Sequence, residues 1–277
     1  MKKVVLKPFL IAALFGVVAC EDEDLLGLSN GDSELALGEY YMEAESVVSY
    51  LYNLADKAYN DSTFQAGDST QIWGIPIVAT PTSAMEIRFG NGITGDDGIT
   101  RKGLIKVNES GNFSSGGSLS FTFDNFRIDD RQVGSSNTTM NVTNVSAGSY
   151  TIGVNDFGIN NEFDYSGNKS INWLSGLGTP EDDSDDTYNV GGTFSGMEIE
   201  SGNGISGTVT EALLYDRSCE HSVVEGLVDL SFTGDSISAT GGSIDFQKND
   251  GCSNVVVITI TTENGGNLTF PKTFNGF

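Results

Sequence analysis

From Ile75 onward the chain alternates apolar and polar residues in short runs, and a period of two restricts those runs to β-strands. Met85, Ile87 and Phe89 alternate with Glu86 and Arg88, and Leu119, Phe121 and Phe123 with Ser120, Thr122 and Asp124. Tyr150, Ile152 and Val154 repeat the pattern. Successive side chains of a strand point to opposite faces, so each run has one dry face and one wet face. Leu227, Val228 and Leu230 keep the pattern less strictly. The unbroken run Val255-Val256-Val257-Ile258, with Ile260, predicts a central strand covered on both faces. Between these segments fall Gly90-Asn91-Gly92, Gly95-Asp96-Asp97-Gly98, Gly116-Gly117, Gly191-Gly192, Gly241-Gly242 and Asn264-Gly265-Gly266, each a turn signal. Roughly a dozen short strands so spaced predict a mostly β fold of antiparallel sheets, a β-sandwich or an open barrel-like arrangement.

One segment breaks the period. Tyr40, Ala44, Val47, Leu51, Leu54 and Ala58 recur at steps of three and four, the spacing of an amphipathic helix with one apolar face. Glu39, Glu43 and Glu45 lie early in it, on the side favoured by the helix dipole, and Asn60-Asp61-Ser62 provides a stop. The helix is expected over 34–61 and the β-rich domain over 62–277. Within that domain, 175–186 is the one place where two β halves could divide. There Gly176, Gly178 and Pro180 lead into Glu181-Asp182-Asp183-Ser184-Asp185-Asp186. The same stretch fits a single exposed loop.

The N-terminus carries a location signal. Lys2, Lys3 and Lys7 precede an apolar run from Phe9 to Val18. That run is about half the ~20 residues that span a bilayer as a helix, and it fits the h-region of a signal peptide. Val17-Val18-Ala19-Cys20 resembles a bacterial lipobox, in which a lipoprotein signal peptidase cuts before a lipid-modified cysteine. Residues 1–19 are therefore expected to be removed and Cys20 to carry the lipid, palmitate included. Two acyl chains give stable anchoring at about 0.8 kcal/mol per buried methylene. Residues 20–33 form the tether. Its run Glu21-Asp22-Glu23-Asp24 is too charged to pack, and it resembles the surface-export signal of Bacteroidota lipoproteins.

Charge narrows the partners. The whole chain has 14 basic and 38 acidic side chains. Removal of Lys2, Lys3 and Lys7 leaves 11 basic ones and a formal charge of −27. Nucleic acid is excluded, because its binding depends on lysine and arginine neutralising phosphates. The densest positive cluster, Arg101-Lys102 with Lys106, is too small for that task. Apart from the membrane held through the lipid, the partners left are a glycan or another protein.

Few residues carry chemistry. With Cys20 lipidated, Cys219 and Cys252 remain, and in an oxidising envelope they most simply form one disulfide. His221 is the only histidine, so any histidine-based triad or metal cluster has just this one imidazole; beside Cys219 it could activate a thiolate only if Cys219 were free, and a surface turn histidine is the plainer reading. Asp182, Ser184 and Asp186 alternate like the first ligands of a calcium loop. Thr187 and Thr193 stand where that loop needs glycine and glutamate, which excludes an EF-hand. A calcium site in a β loop stays open beside a solvated acidic loop; no other cofactor is expected. Trp73 and Trp173 are candidates for stacking on sugar rings, with packing in the core as the alternative.

Met85-Glu86-Ile87-Arg88-Phe89-Gly90 leading into Gly95-Asp96-Asp97-Gly98 and Arg101-Lys102-Gly103 resembles a hairpin of uncharacterised Bacteroidota surface lipoproteins. Phe121-Thr122-Phe123-Asp124-Asn125-Phe126, Tyr188-Asn189-Val190-Gly191-Gly192-Thr193 and Asp250-Gly251-Cys252-Ser253-Asn254 extend the likeness. It implies place and architecture and brings no reaction or catalytic residue. The expectation is an outer-membrane, lipid-anchored surface protein with a non-catalytic binding or structural role. The alternative is a glycan-binding accessory protein or a glycan-processing enzyme.

Overall fold

The computed structural model describes residues 31–80, 85–179, 182–219, 223–247 and 252–274. The signal peptide, Cys20, the run Glu21 to Asp24 and His221 all lie outside the described residues.

The N-terminal helix α1 spans Asp32–Asn60, close to its expected limits. Asp32 and Glu34 occupy its first turn and Lys57 its last, both arrangements that favour the dipole. It ends where Asp61 turns extended, and the Asp61 carboxylate then accepts from the Phe64 N–H at 2.9 Å to start the single turn α2, Ser62–Gln65. The helix departs from expectation in having no wet face along its middle. Every residue from Ala44 to Asp56 is buried, more than three turns, including Glu45, Ser46, Ser49, Asn53 and Asp56. A helix buried all round is itself the core of its domain.

What buries it is one antiparallel sheet of 15 strands. The first part comprises β1 (Thr70–Ile72), β2 (Ile75–Ala79), β3 (Met85–Thr94), β4 (Thr100–Ser110), β5 (Ser118–Ile128) and the short β6 (Arg131–Gln132). The middle comprises β7 (Thr139–Ser146), β8 (Ser149–Ile159), β9 (Phe163–Ser175) and β10 (Thr187–Glu198). The last part comprises β11 (Gly204–Asp216), β12 (Val223–Thr233), β13 (Ala239–Asp245), β14 (Val255–Thr262) and β15 (Asn267–Thr273). Strands pair in chain order, except that β6 hangs off β5 and β7 takes its place in the path. The sheet is open, with β1 and β15 at its edges.

Contacts leave the helix in every direction. Glu34 reaches the backbone N–H of Ser238 and Ala239, Gly38 abuts Ile258, and Tyr41 stacks on Phe194. Ser49 meets Tyr215, and Tyr59 lies against Phe113. The sheet therefore curls round α1 with its apolar face inward. Met85, Ile87 and Phe89 of β3 and Tyr150, Ile152 and Val154 of β8 point in, as the alternation predicts.

Two expectations need correction. Val255 to Ile260 is not covered on both faces: Val256, Ile258 and Ile260 are buried, while Val255 is 38% exposed. Its outward valines satisfy strand propensity without burial. Gly191-Gly192 and Gly241-Gly242 are not turns but lie inside β10 and β13, and Gly90-Asn91-Gly92 lies inside β3. The ladders change register at or beside each of these places, so the glycines mark bulges in continuing strands. Strands β9 and β10 pair along their length on either side of 175–186, which makes that segment a connection within one sheet.

Candidate functional site

The middle of the outer face of β7 to β10 is built from hydroxyl and amide side chains, with exposed Val145, Leu174 and Met197 toward the strand ends. Registers place Thr143, Thr151, Ser170 and Gly191 on one rung across the four strands. Asn141, Gly153, Asn168 and Thr193 form the neighbouring rung. Alternation sends these side chains outward because Val142, Ile152, Val154 and Ile171 fill the inner face. Strands lie about 4.8 Å apart and same-face residues about 7 Å apart, so the rungs form a grid of donors and acceptors. The grid continues to a Thr139–Asn155 pair at 3.2 Å on one side and a Ser149–Asn172 pair at 3.1 Å on the other.

Glycine hollows this grid. Gly153 contributes no side chain, and Gly192 sits at the β10 bulge with φ 139°, where a Cβ would stand 2.1 Å from the Asn168 carbonyl oxygen. The result is an open groove of about 490 Å³ lined by Asn141, Thr143, Thr151, Gly153, Asn168, Ser170 and Gly192. Lys169 is the only charged residue along it, and its side chain turns inward and is buried. In a chain of net charge −24 this is a neutral island.

Directly beneath, the interior is polar in a different way. Lys169 of β9 pairs with Glu45 of α1, both nearly inaccessible. Tyr215 donates to Glu45 at 3.5 Å and shares a 2.9 Å hydrogen bond with Ser49. Tyr41 also faces the Glu45 carboxylate, and burial together with that charge holds its hydroxyl pKa well above the usual value. Burial pulls the Lys169 pKa down, and Glu45 opposes the shift. The signal for Lys169 was present in the sequence: Tyr165, Gly167, Lys169 and Ile171 are alternate residues and share the inward face.

The C-terminal end of α1 gathers the acidic loop. Lys57 pairs with Asp183 and, at 3.5 Å, with Asp186, and Arg217 lies 3.9 Å from Asp183. Asp182 caps the loop by accepting from Ser184, and Thr179 donates to Asp185 at 2.8 Å. Asp182 and Ser184 are bonded to each other at the surface, whereas Asp186 turns in to Lys57. Among the described residues no three metal-ligating side chains of the His, Cys, Asp and Glu types are grouped. Beside this loop Asp56 is fully buried. Burial first, then the Asp186 charge, push its pKa up to about 7 against the pull of Lys57.

Both tryptophans are half-buried and donate inward. Trp73 occupies the two-residue turn between β1 and β2 with φ 49°, its indole N–H on Asp183 at 3.1 Å and the Arg217 guanidinium over its ring at 4.8 Å. Trp173 donates to the Tyr52 hydroxyl at 2.9 Å and packs on Tyr188. Neither lines the neutral groove. Arg101, expected as part of a basic cluster, is fully buried over the Tyr50 ring and bonded to Asp97. Cys219 and Cys252 are bonded, with α-carbons 5.2 Å apart.

A second groove, of about 280 Å³, lies between α1 and β15 and holds Glu39 and Glu43. Both carboxylates already have cations, Lys272 and Arg131 respectively, each at 2.6 Å. No family model matches the chain, and no match was found among curated proteins or among solved structures.

Proposed function

We propose that the chain is a lipid-anchored protein of the outer membrane, exposed at the cell surface, with a non-catalytic role in binding a neutral, hydroxyl-rich ligand such as a glycan. The observation that carries this reading is the uncharged groove over β7 to β10. Elsewhere the surface is strongly acidic and repels anions, whereas Asn141, Thr151, Asn168 and Ser170 offer donors and acceptors without charge. The arrangement suits hydrogen bonding to sugar hydroxyls more than chemistry. The acidic groups of the other groove are engaged by Lys272 and Arg131, and those of the 182–186 loop by Lys57, Arg217, Ser184 and Thr179. A hydrolase would need a carboxylate pair about 5–10 Å apart across a cleft and free to act. The lipobox-like Cys20 and the acidic run after it support the location.

The test is a glycan array probed with the protein and with the variants Asn168→Asp and Thr151→Asp. These positions are exposed, so the variants should fold while placing negative charge in the groove. Retention of neutral glycans by the parent, lost in both variants, is the expected result. Retention unaltered by either variant would move the ligand away from this face, and capture of no neutral glycan would refute the binding role.

A further inference from the structure

The buried pair formed by Lys169 and Glu45 is set up for a covalent outcome. We propose that Lys169 Nζ and the Glu45 side-chain carboxyl condense into an intramolecular amide that staples α1 to β9.

The Lys169 ammonium lacks partners beyond Glu45. A lysine head group carries three donors, yet Lys169 Nζ, buried away from solvent, makes no hydrogen bond beyond its ion pair with Glu45 among the described residues. The cavity around the pair is lined mostly by rings and methyl groups, those of Tyr41, Tyr165, Val190, Phe194 and Val209, with Gly191, Gly192 and Thr193 completing the wall. The Tyr165 ring centre is 5.8 Å from Nζ. Taking two charges out of water is costly, and their attraction repays that cost only when the remaining donors and acceptors are also satisfied. The proposed step begins with one proton transfer within the pair, from Nζ to the carboxylate, which leaves a neutral amine beside a carboxylic acid. The neutral amine then attacks the carboxyl carbon. An N–C bond forms, one C–O bond breaks, and an N–H proton leaves with that oxygen as water. No oxidant or co-reactant is needed. Tyr215, donating at 3.5 Å, and Tyr41 both address the carboxyl, where they polarise it toward attack. The amide removes both charges from the interior, which favours the condensed state over the ion pair.

This inference is independent of the groove above and goes beyond the proposed binding role. The experiment is peptide mass spectrometry of the full-length folded protein, reduced, denatured and digested with chymotrypsin. The expected product is one branched peptide that joins the segments around Glu45 and Lys169 and is lighter than their sum by one water. Lys169→Arg should release the two segments at full mass, and Glu45→Gln, where it condenses, should show loss of ammonia instead. Recovery of the two wild-type segments as separate unmodified peptides would overturn the proposal. So would the same loss of water in Lys169→Arg, because the water would then come from elsewhere.

Discussion

Asp56 and Gly192 show how single residues are constrained by surroundings far away in the chain. Asp56 lies in the last turns of α1, yet the walls around it include Trp173, Gly176 and Asp186. Its pKa of about 7 in the fold stands against 3.8 for the free group. For a group raised on folding, stability is complete below the lower value, falls as pH rises between the two, and is constant above the upper one. The loss across that window is on the order of 4 kcal/mol at 1.36 kcal/mol per unit. Asp56→Asn is expected to flatten the dependence between about pH 4 and 7 and to be the more stable protein at pH 8. Chemical denaturation of parent and variant across that range checks it; parallel curves would show that Asp56 does not titrate there. Gly192 is constrained by space instead, since a Cβ would meet the Asn168 carbonyl at 2.1 Å at a φ of 139°. Gly192→Ala should cost roughly 1–3 kcal/mol. The neighbouring Gly191→Ala, whose Cβ would meet only the Ser170 hydroxyl at 3.3 Å, should cost less. Denaturant midpoints at unchanged slope measure both, and equal losses would refute the bulge argument.

At the level of elements, the disulfide is the main covalent tie between strands. Cys219 lies just beyond the end of β11 and Cys252 just before β14, with β12 and β13 between them in the sheet. Closing a loop of 33 residues restricts the unfolded chain and contributes about 3–4 kcal/mol by loop entropy. Cys219→Ser is expected to lower stability by about 2–5 kcal/mol and to leave ligand binding at the β7–β10 groove unchanged, since no groove residue touches the bond. Melting temperature and glycan retention measured together test this. A loss of binding with an unaltered melting temperature would contradict it. The helix behaves differently from a surface element. Several of its polar groups meet strands scattered along the sheet, as with the Glu34 carboxylate on Ala239, the Asn53 carbonyl oxygen on Tyr188 and the Ser49 hydroxyl on Tyr215. Each such contact fixes the depth and rotation of α1, because an unmet buried polar group costs about 1–3 kcal/mol.

For the whole molecule the question is attachment. No described helix is long and apolar enough to cross a membrane. The anchor we propose rests on the lipobox-like Val17-Val18-Ala19-Cys20: a lipid on Cys20, followed by an acidic run proposed to serve export and spacing. Cys20→Ala should release the protein from the membrane fraction, and metabolic labelling with a palmitate analogue should mark the parent alone. Equal labelling of both would defeat the lipoprotein assignment. Alanine at Glu21 to Asp24 should keep the label but reduce cleavage by protease added to intact cells, and unchanged cleavage would make the run a spacer only.

Local order was legible in the sequence because periodicity is local. Apolar residues at steps of two gave the strands, steps of three and four gave α1 within two residues at either end, and cysteine count gave the pairing of Cys219 with Cys252. What depended on how the sheet curls was hidden. Whether Gly191-Gly192 turns the chain or bulges a strand rests on a partner, Asn168, that the local pattern does not show. Which way Trp73 and Trp173 face depends on Asp183 and Tyr52, more than a hundred residues distant in each case. Lys169 stood on an apolar face in plain alternation, but its meaning required Glu45 from the helix. Sequence patterning decided which faces were dry. Only the curling of one sheet around one helix decided which dry faces meet, because that depends on curvature and register accumulated over all 15 strands.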